Sequence, residues 1–228
     1  MSWRDFMRWA SPSTRGLGSS RSGSSAARRR RRPAPERLEG RTLLSTLTVT
    51  SAGDHGPGSL RAAIATAVGG DTIDFDRRLR GVTIGLTSGE LVIDKALKIE
   101  GPGALRLSID AGGLGRAFRV SAAGSSVEVA GLSILGGLAT AGGGILVEGG
   151  AVELSGDVLT DNRAVASAAT ETARGGAVAV VGAGASLSVV ACLLTNDGAA
   201  GAAGLAGAVG SVGVRPSAAR FTRAPGRA

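Results

Sequence analysis

The sequence predicts an all-β protein: a parallel β-helix with one short capping helix on its N-terminal side. Three observations predict it. Three gapless segments repeat one pattern of aliphatic and polar positions at a coil-length spacing. Glycine is plentiful, at 38 of 228 residues, whereas the aromatics are four Phe, two Trp and no Tyr. A thin, layered interior of small aliphatics suits that composition better than a core built on large rings. Finally, only one segment reads as helix, which argues against βαβ units and leaves a sandwich, a barrel or a solenoid.

The elements follow in order. Residues 1–45 are rich in Ser, Gly and Arg and are expected to form a disordered basic leader, because they offer too little apolar surface to offset the entropy of ordering. Thr46–Ser51 alternates β-formers and reads as a strand. Gly53–Gly58 reads as a turn, and His55 as an exposed residue within it. Ser59 is a suitable N-cap for a helix reaching about Val68, with Leu60, Ile64 and Ala67 on one face and Gly69-Gly70 ending it. Short strands are then expected at Asp71–Phe75, Val82–Leu86, Leu91–Ile93, Leu97–Glu100, Leu105–Ile109 and Phe118–Ser121.

The repeat selects the solenoid. Val127–Gly137, Val152–Asn162 and Leu187–Asp197 align without gaps, with starts 25 and 35 residues apart. A coil of about 20–30 residues is the size of one turn of a parallel β-helix. Each segment opens aliphatic–polar–aliphatic (Val127/Val129, Val152/Leu154, Leu187/Val189) and later carries an aliphatic pair (Ile134-Leu135, Val158-Leu159, Leu193-Leu194). Gly143-Gly144-Ile145-Leu146-Val147 is matched to Gly175-Gly176-Ala177-Val178-Ala179. The ten extra residues of the longer unit are assigned to the stretch between Asn162 and Gly175, where a loop can swell without disturbing stacked strands. The β-helix is therefore expected over 46–199, with the helix covering its first coil. Residues 200–228 show neither strand alternation nor another Gly-Gly-x-Ile coil, and read either as a disordered tail or as a truncated or frameshifted end.

The formal net charge of +8 does not describe a basic binding face. Residues 1–45 hold eleven Arg and three acids, so the whole excess lies there. Residues 46–199 are net −4. Arg28–Arg32 could contact nucleic acid, but no aromatic side chains interleave with the arginines, and nucleic acid is not an expected partner. Cys192 is the one cysteine, so no intramolecular disulfide and no cysteine-based metal site can form. No apolar run reaches eighteen residues, and Arg4, Asp5 and Arg8 interrupt the start, so neither a transmembrane helix nor a standard signal peptide is legible.

Several motifs in order resemble a known group. Val49–Ile64 with its Gly56-Pro57-Gly58-Ser59-Leu60-Arg61 run, then Gly70-Asp71-Thr72-Ile73-Asp74-Phe75, Leu97–Gly103 and Val129–Ile134, resemble bacterial right-handed β-helix repeat proteins. The Gly-Gly-Gly-Ile and Leu-Thr-Asp-Asn coils are similar to repeats of the chlamydial polymorphic outer-membrane proteins, with Leu where those carry Phe. Arg28–Arg32 followed by Leu38-Glu39-Gly40-Arg41-Thr42-Leu43-Leu44-Ser45 resembles the leader of secreted planctomycete-type proteins. The resemblance implies a pectin-lyase-like, right-handed β-helix and an extracellular or cell-surface setting. It does not imply an enzyme.

No catalytic, cofactor or metal residue is assigned. Asp157, Asp161, Asn162, Asn196 and Asp197 fall on adjacent coils, and three readings stand: a polar turn ladder bonding the backbone, weak calcium binding, or glycan cleavage by paired carboxylates. Cys192 is expected as a semi-buried small residue in an apolar strand. Gly142–Gly144 and Gly182–Gly184 lack the Lys-Ser/Thr and the helix that a phosphate loop needs. The leading expectation is a non-enzymatic secreted or surface protein contacting extracellular polysaccharide, envelope or matrix. A polysaccharide lyase or hydrolase, or its remnant, is the alternative.

Overall fold

The computed structural model describes residues 44–166 and 173–200, together with short strands at 209–211, 215–216 and 220–221. Residues 1–43 of the expected leader lie outside the described residues. The rest is a parallel β-solenoid.

The first coil holds β1 (Thr46–Val49) and the helix α1 (Leu60–Thr66). The second holds β2 (Thr72–Phe75), a 3-10 turn at Arg77–Leu79, β3 (Val82–Gly85) and β4 (Leu91–Ile93). Then come β5 (Leu97–Glu100), β6 (Leu107–Asp110), β7 (Phe118–Ala130), β8 (Ser133–Leu135) and β9 (Leu138–Ala139). The next coils hold β10 (Ile145–Ser155), β11 (Val158–Thr160), β12 (Arg163–Val165), β13 (Val178–Val180), β14 (Ser186–Val190), β15 (Leu193–Thr195) and β16 (Gly198–Ala200). Every strand pairing among the described residues is parallel, in sheets of ten, six and three strands.

The inward columns are aliphatic ladders. One runs Ile73, Ile99, Val129, Leu154, Val189. Another runs Ile84, Ile109, Ile134, Leu159, Leu194. All ten are essentially buried. Each rung rests on its neighbours at the inter-strand spacing of about 4.8 Å, so branched side chains nest without large rings. The exception is Phe118, fully buried between Leu91 and Ile145.

The three-segment alignment holds residue for residue: Val152 pairs with Val127 and with Leu187. The glycine-pair match does not. Ile145 pairs with Val178, one residue beyond the expected Ala177. Because a one-residue slip would turn every side chain to the opposite face, the register follows Ile145–Val178 and Val147–Val180, which place β-branched residues together. The ten-residue expansion is also divided. Pairing moves from Leu138–Arg163 to Ala141–Arg174, which places eight extra residues between Arg163 and Arg174. It moves again from Val147–Val180 to Ala151–Ser186, which places two more at the turn after β13.

Other boundaries differ for local reasons. Leu105 is almost wholly exposed and lies in a turn, so β6 begins at Leu107. The strand expected to stop at Ser121 runs on to Ala130. Beyond residue 200, where no strand was expected, β17 (Val209–Ser211), β18 (Arg215–Pro216) and β19 (Arg220–Phe221) pair in register with β13, β14 and β15.

The helix stops at Thr66, two residues earlier than expected, with Ala67 as its C-cap. Ser59 is the N-cap: its side chain accepts from the Ala62 N–H at 3.2 Å and donates to the Gly56 carbonyl at 2.8 Å. Leu60, Ala63 and Ile64 turn into the end of the core. The Lys95 ammonium donates to the carbonyls of Ile64 and Ala67, closing the other end of the helix.

Candidate functional site

Two polar centres are built into the described residues. The first locks the capping helix to the coil beneath it. Asp54, 7% exposed, accepts from Arg61 Nε at 3.0 Å and Nη2 at 2.7 Å on one oxygen. Its other oxygen accepts from the backbone N–H groups of Thr87 (2.9 Å) and Ser88 (2.8 Å) and from both their hydroxyls. Arg61 also donates to the carbonyls of Gly89 and Glu90, just ahead of β4. Burial alone would raise the Asp54 pKa; the hydrogen bonds from Ser88, Arg61 and Thr87 outweigh it and hold the carboxyl well below the usual carboxylate range. His55 sits beside this centre, 3.4 Å from Asp54, with its ring largely exposed. From the sequence, Asp54 was only one residue of the Gly53–Gly58 turn. No sequence signal pointed to it, because the partners at Thr87 and Ser88 are remote along the chain.

The second centre is a ladder at the coil corners, and it follows one rule. A side chain in one coil accepts the backbone N–H of the equivalent residue in the coil before it. Asp157 accepts from the Leu132 N–H at 2.8 Å, and the Asp157 N–H in turn points to Cys192 Sγ at 3.4 Å. At the next corner Asn162 accepts from the Gly137 N–H at 3.0 Å, and Asp197 accepts from the Asn162 N–H at 2.8 Å. The same arrangement occurs near the start, where Asp71 accepts from the Ser45 N–H at 2.8 Å. Corners break the strand ladder, so these amides would otherwise be orphaned.

The ladder decides where the weighed residues stand. Asp157 and Asn162 are essentially buried, and Asn162 spends all its polar atoms, its amide donating to the Ile134 carbonyl and to Asp197. Asp161 and Asn196 lie at the surface one rung apart, joined by a hydrogen bond from Asn196 Nδ2 to Asp161 Oδ1. Both take left-handed backbone angles, near +57° and +56°, which Asp and Asn tolerate better than most residues. Asp161, Asn196 and Asp197 line one groove with Arg163 and Gly198. Among the described residues, no three His, Cys, Asp or Glu side chains converge as a metal site would require.

Burial sets the chemistry of this centre. It raises the Asp157 carboxyl to about 7, against the lowering effect of the Leu132 and Ser155 N–H bonds. It raises Asp197 to about 6, with the nearby Asp161 charge adding to the effect. Cys192 is not in a strand but in the corner between β14 and β15, and it is buried rather than half-buried. Burial, with Asp157 beside it, pushes its thiol to about 11, which suppresses the nucleophilic thiolate.

Outside the ladder, the broad sheet presents paired charges. Lys98 bridges Glu100 (2.7 Å) and Glu128 (3.5 Å), while Glu90 holds Arg116 and Arg119, and Arg119 reaches on to Glu148. Pairs this exposed contribute little stability and define a solvated, self-neutralised face. No described helix is long and apolar enough to cross a membrane. No family model, curated protein or solved structure matches the chain.

Proposed function

We propose that this chain is a non-enzymatic β-solenoid that works outside the cell, offering its lateral faces to extracellular polysaccharide or to an envelope or matrix component. One observation carries the reading. The acids and amides that could have formed a reactive cluster are instead engaged in the corner ladder, with Asp157, Asn162 and Asp197 each accepting a backbone N–H from the coil before. What remains as a regular surface is the ladder of paired charges on the broad sheet. The outside location is argued from the motif resemblance, including the leader-like stretch 28–45. The test is a panel of acidic and neutral polysaccharides and isolated envelopes, scored both for co-sedimentation and for release of reducing ends. Binding without product release is expected. Product release that disappears in Asp161→Ala would overturn the reading. Cell fractionation tests the location.

The carbohydrate-active alternative has one observation in its favour. The groove beside β12 is lined by Asp161, Asp197 and Arg163, residue types that glycan cleavage can use. Against it, Asp161 and Asp197 each already accept a hydrogen bond within the ladder.

A further inference from the structure

The ladder carries two carboxyls at consecutive corners, Asp157 buried and Asp197 half-buried with one oxygen enclosed, and each fastens one coil to the one before. Asp157 accepts from the N–H groups of Leu132 and Ser155, and its other titratable neighbour is the Cys192 thiol, whose sulfur is 3.9 Å from Oδ2. Asp197 takes two hydrogen bonds from Asn162 on one oxygen, and its second oxygen is buried with no hydrogen-bond partner among the described residues. The charged groups around Asp197 are Asp161, a like charge, and Arg163, which lines the same groove. No cation figures among the groups that set the ionisation of either carboxyl. A buried carboxylate without a cation carries a desolvation cost that the neutral acid avoids.

We propose that Asp157 and Asp197 form a pH-sensitive latch between successive coils: with both carboxyls protonated the corners close on the coil before them, and with both ionised they loosen. The sign follows from the direction of the shifts. Both groups are harder to ionise in the folded chain than in the unfolded one. Their protonated form therefore supports the fold fully below the ordinary carboxylate range. That support is lost as pH rises through the window ending at about 7 for Asp157 and about 6 for Asp197. The Asp54 centre at the opposite end carries the reverse shift, so the latch acts on the later coils alone.

The molecule supplies its own replacements, which stay neutral across this pH window. Cys192 stands where Asp157 stands one coil earlier and accepts the corner N–H through sulfur; Asn162 does the same for Asp197 through its amide oxygen. The experiment is native-state hydrogen exchange across mildly acidic to mildly alkaline pH, corrected for intrinsic rates, on the wild-type chain and on D157C/D197N. The opening constants of the Leu132 and Asn162 amides are expected to rise about tenfold per pH unit for each titrating carboxyl and then level off. The Thr87 and Ser88 amides, held by Asp54, should stay flat, and the slope at Leu132 and Asn162 should vanish in the double variant. A flat wild-type profile at Leu132 and Asn162, or a slope that survives in D157C/D197N, overturns the latch. Carboxyl-carbon titration of the wild-type chain needs no variant: midpoints above about 5.5 are expected for both groups, and one in the ordinary range near 4 would sink the proposal.

Discussion

Replacing Asp54 with Ala should cost the fold about 3–5 kcal/mol, the range for removing one partner of a buried ion pair. The structure shows where that cost arises. The substitution strips acceptors from the backbone N–H groups of Thr87 and Ser88, which cannot rotate away, and from the Arg61 guanidinium. Each donor left without a partner and shielded from water costs about 1–3 kcal/mol, so the two amides alone account for up to about 6 kcal/mol. The hydroxyls of Thr87 and Ser88 can turn towards water, and Arg61 retains the carbonyls of Gly89 and Glu90, which limits the loss. Urea denaturation of the Ala variant measures the total; amide exchange at Leu91–Ile93 measures whether the damage is local to the cap. A loss below about 1 kcal/mol would refute the claim that Asp54 joins the helix to the second coil. The pH dependence is a second check. Since the folded-state pKa is depressed, the Asp54 contribution is complete above the unfolded value near 4 and declines only as pH falls further.

Other substitutions test other parts of the argument. Phe118→Ala should cost about 3–5 kcal/mol by leaving a cavity between Leu91 and Ile145, and Phe118→Leu markedly less, both read from denaturation midpoints. Gly137→Ala should be severely destabilising, because a Cβ there meets the Gly143 carbonyl oxygen, which is backbone and cannot yield. Gly156→Ala, with open space but a φ near +65°, should cost only about 1–2 kcal/mol. At the equivalent corner Ala191 already holds a φ near +53°, so Ala191→Gly should be neutral or stabilising by up to about 1 kcal/mol. Cys192 should react with a thiol reagent at the rate of local opening rather than at a free-thiol rate, and rapid labelling of the native chain would contradict its burial.

The sequence showed the coil register wherever side chains marked it. Val127, Val152 and Leu187 carry an aliphatic alternation that only one alignment satisfies, and the rungs follow it. The glycine pairs carry no side chain and tolerate a slip, so the match there was one residue off until Val178 and Val180 fixed it. The division of the longer coil was hidden for the same reason, since a small, glycine-containing turn accepts two extra residues without changing its pattern. The ladder of Asp157, Asn162 and Asp197 could be suspected from the aligned segments, because equivalent positions sit one rung apart. The Asp54 centre could not. Its partners at Thr87 and Ser88 lie 33 and 34 residues away, across a helix that breaks the repeat, and nothing periodic connects them.

The corner rule also gives the solenoid a direction. In the later coils, each completes the one before it and leaves its own corner N–H groups for the next to satisfy. Removing coils from the two ends is therefore not equivalent. Trimming from the N-terminal side frees acceptors, which water or a second lone pair can serve cheaply. Trimming from the C-terminal side exposes donors at every new end, and unsatisfied donors are the costlier loss. An array built this way is vectorial: it can be lengthened one unit at a time by additions at its trailing edge, each new unit repairing the defect left by the last.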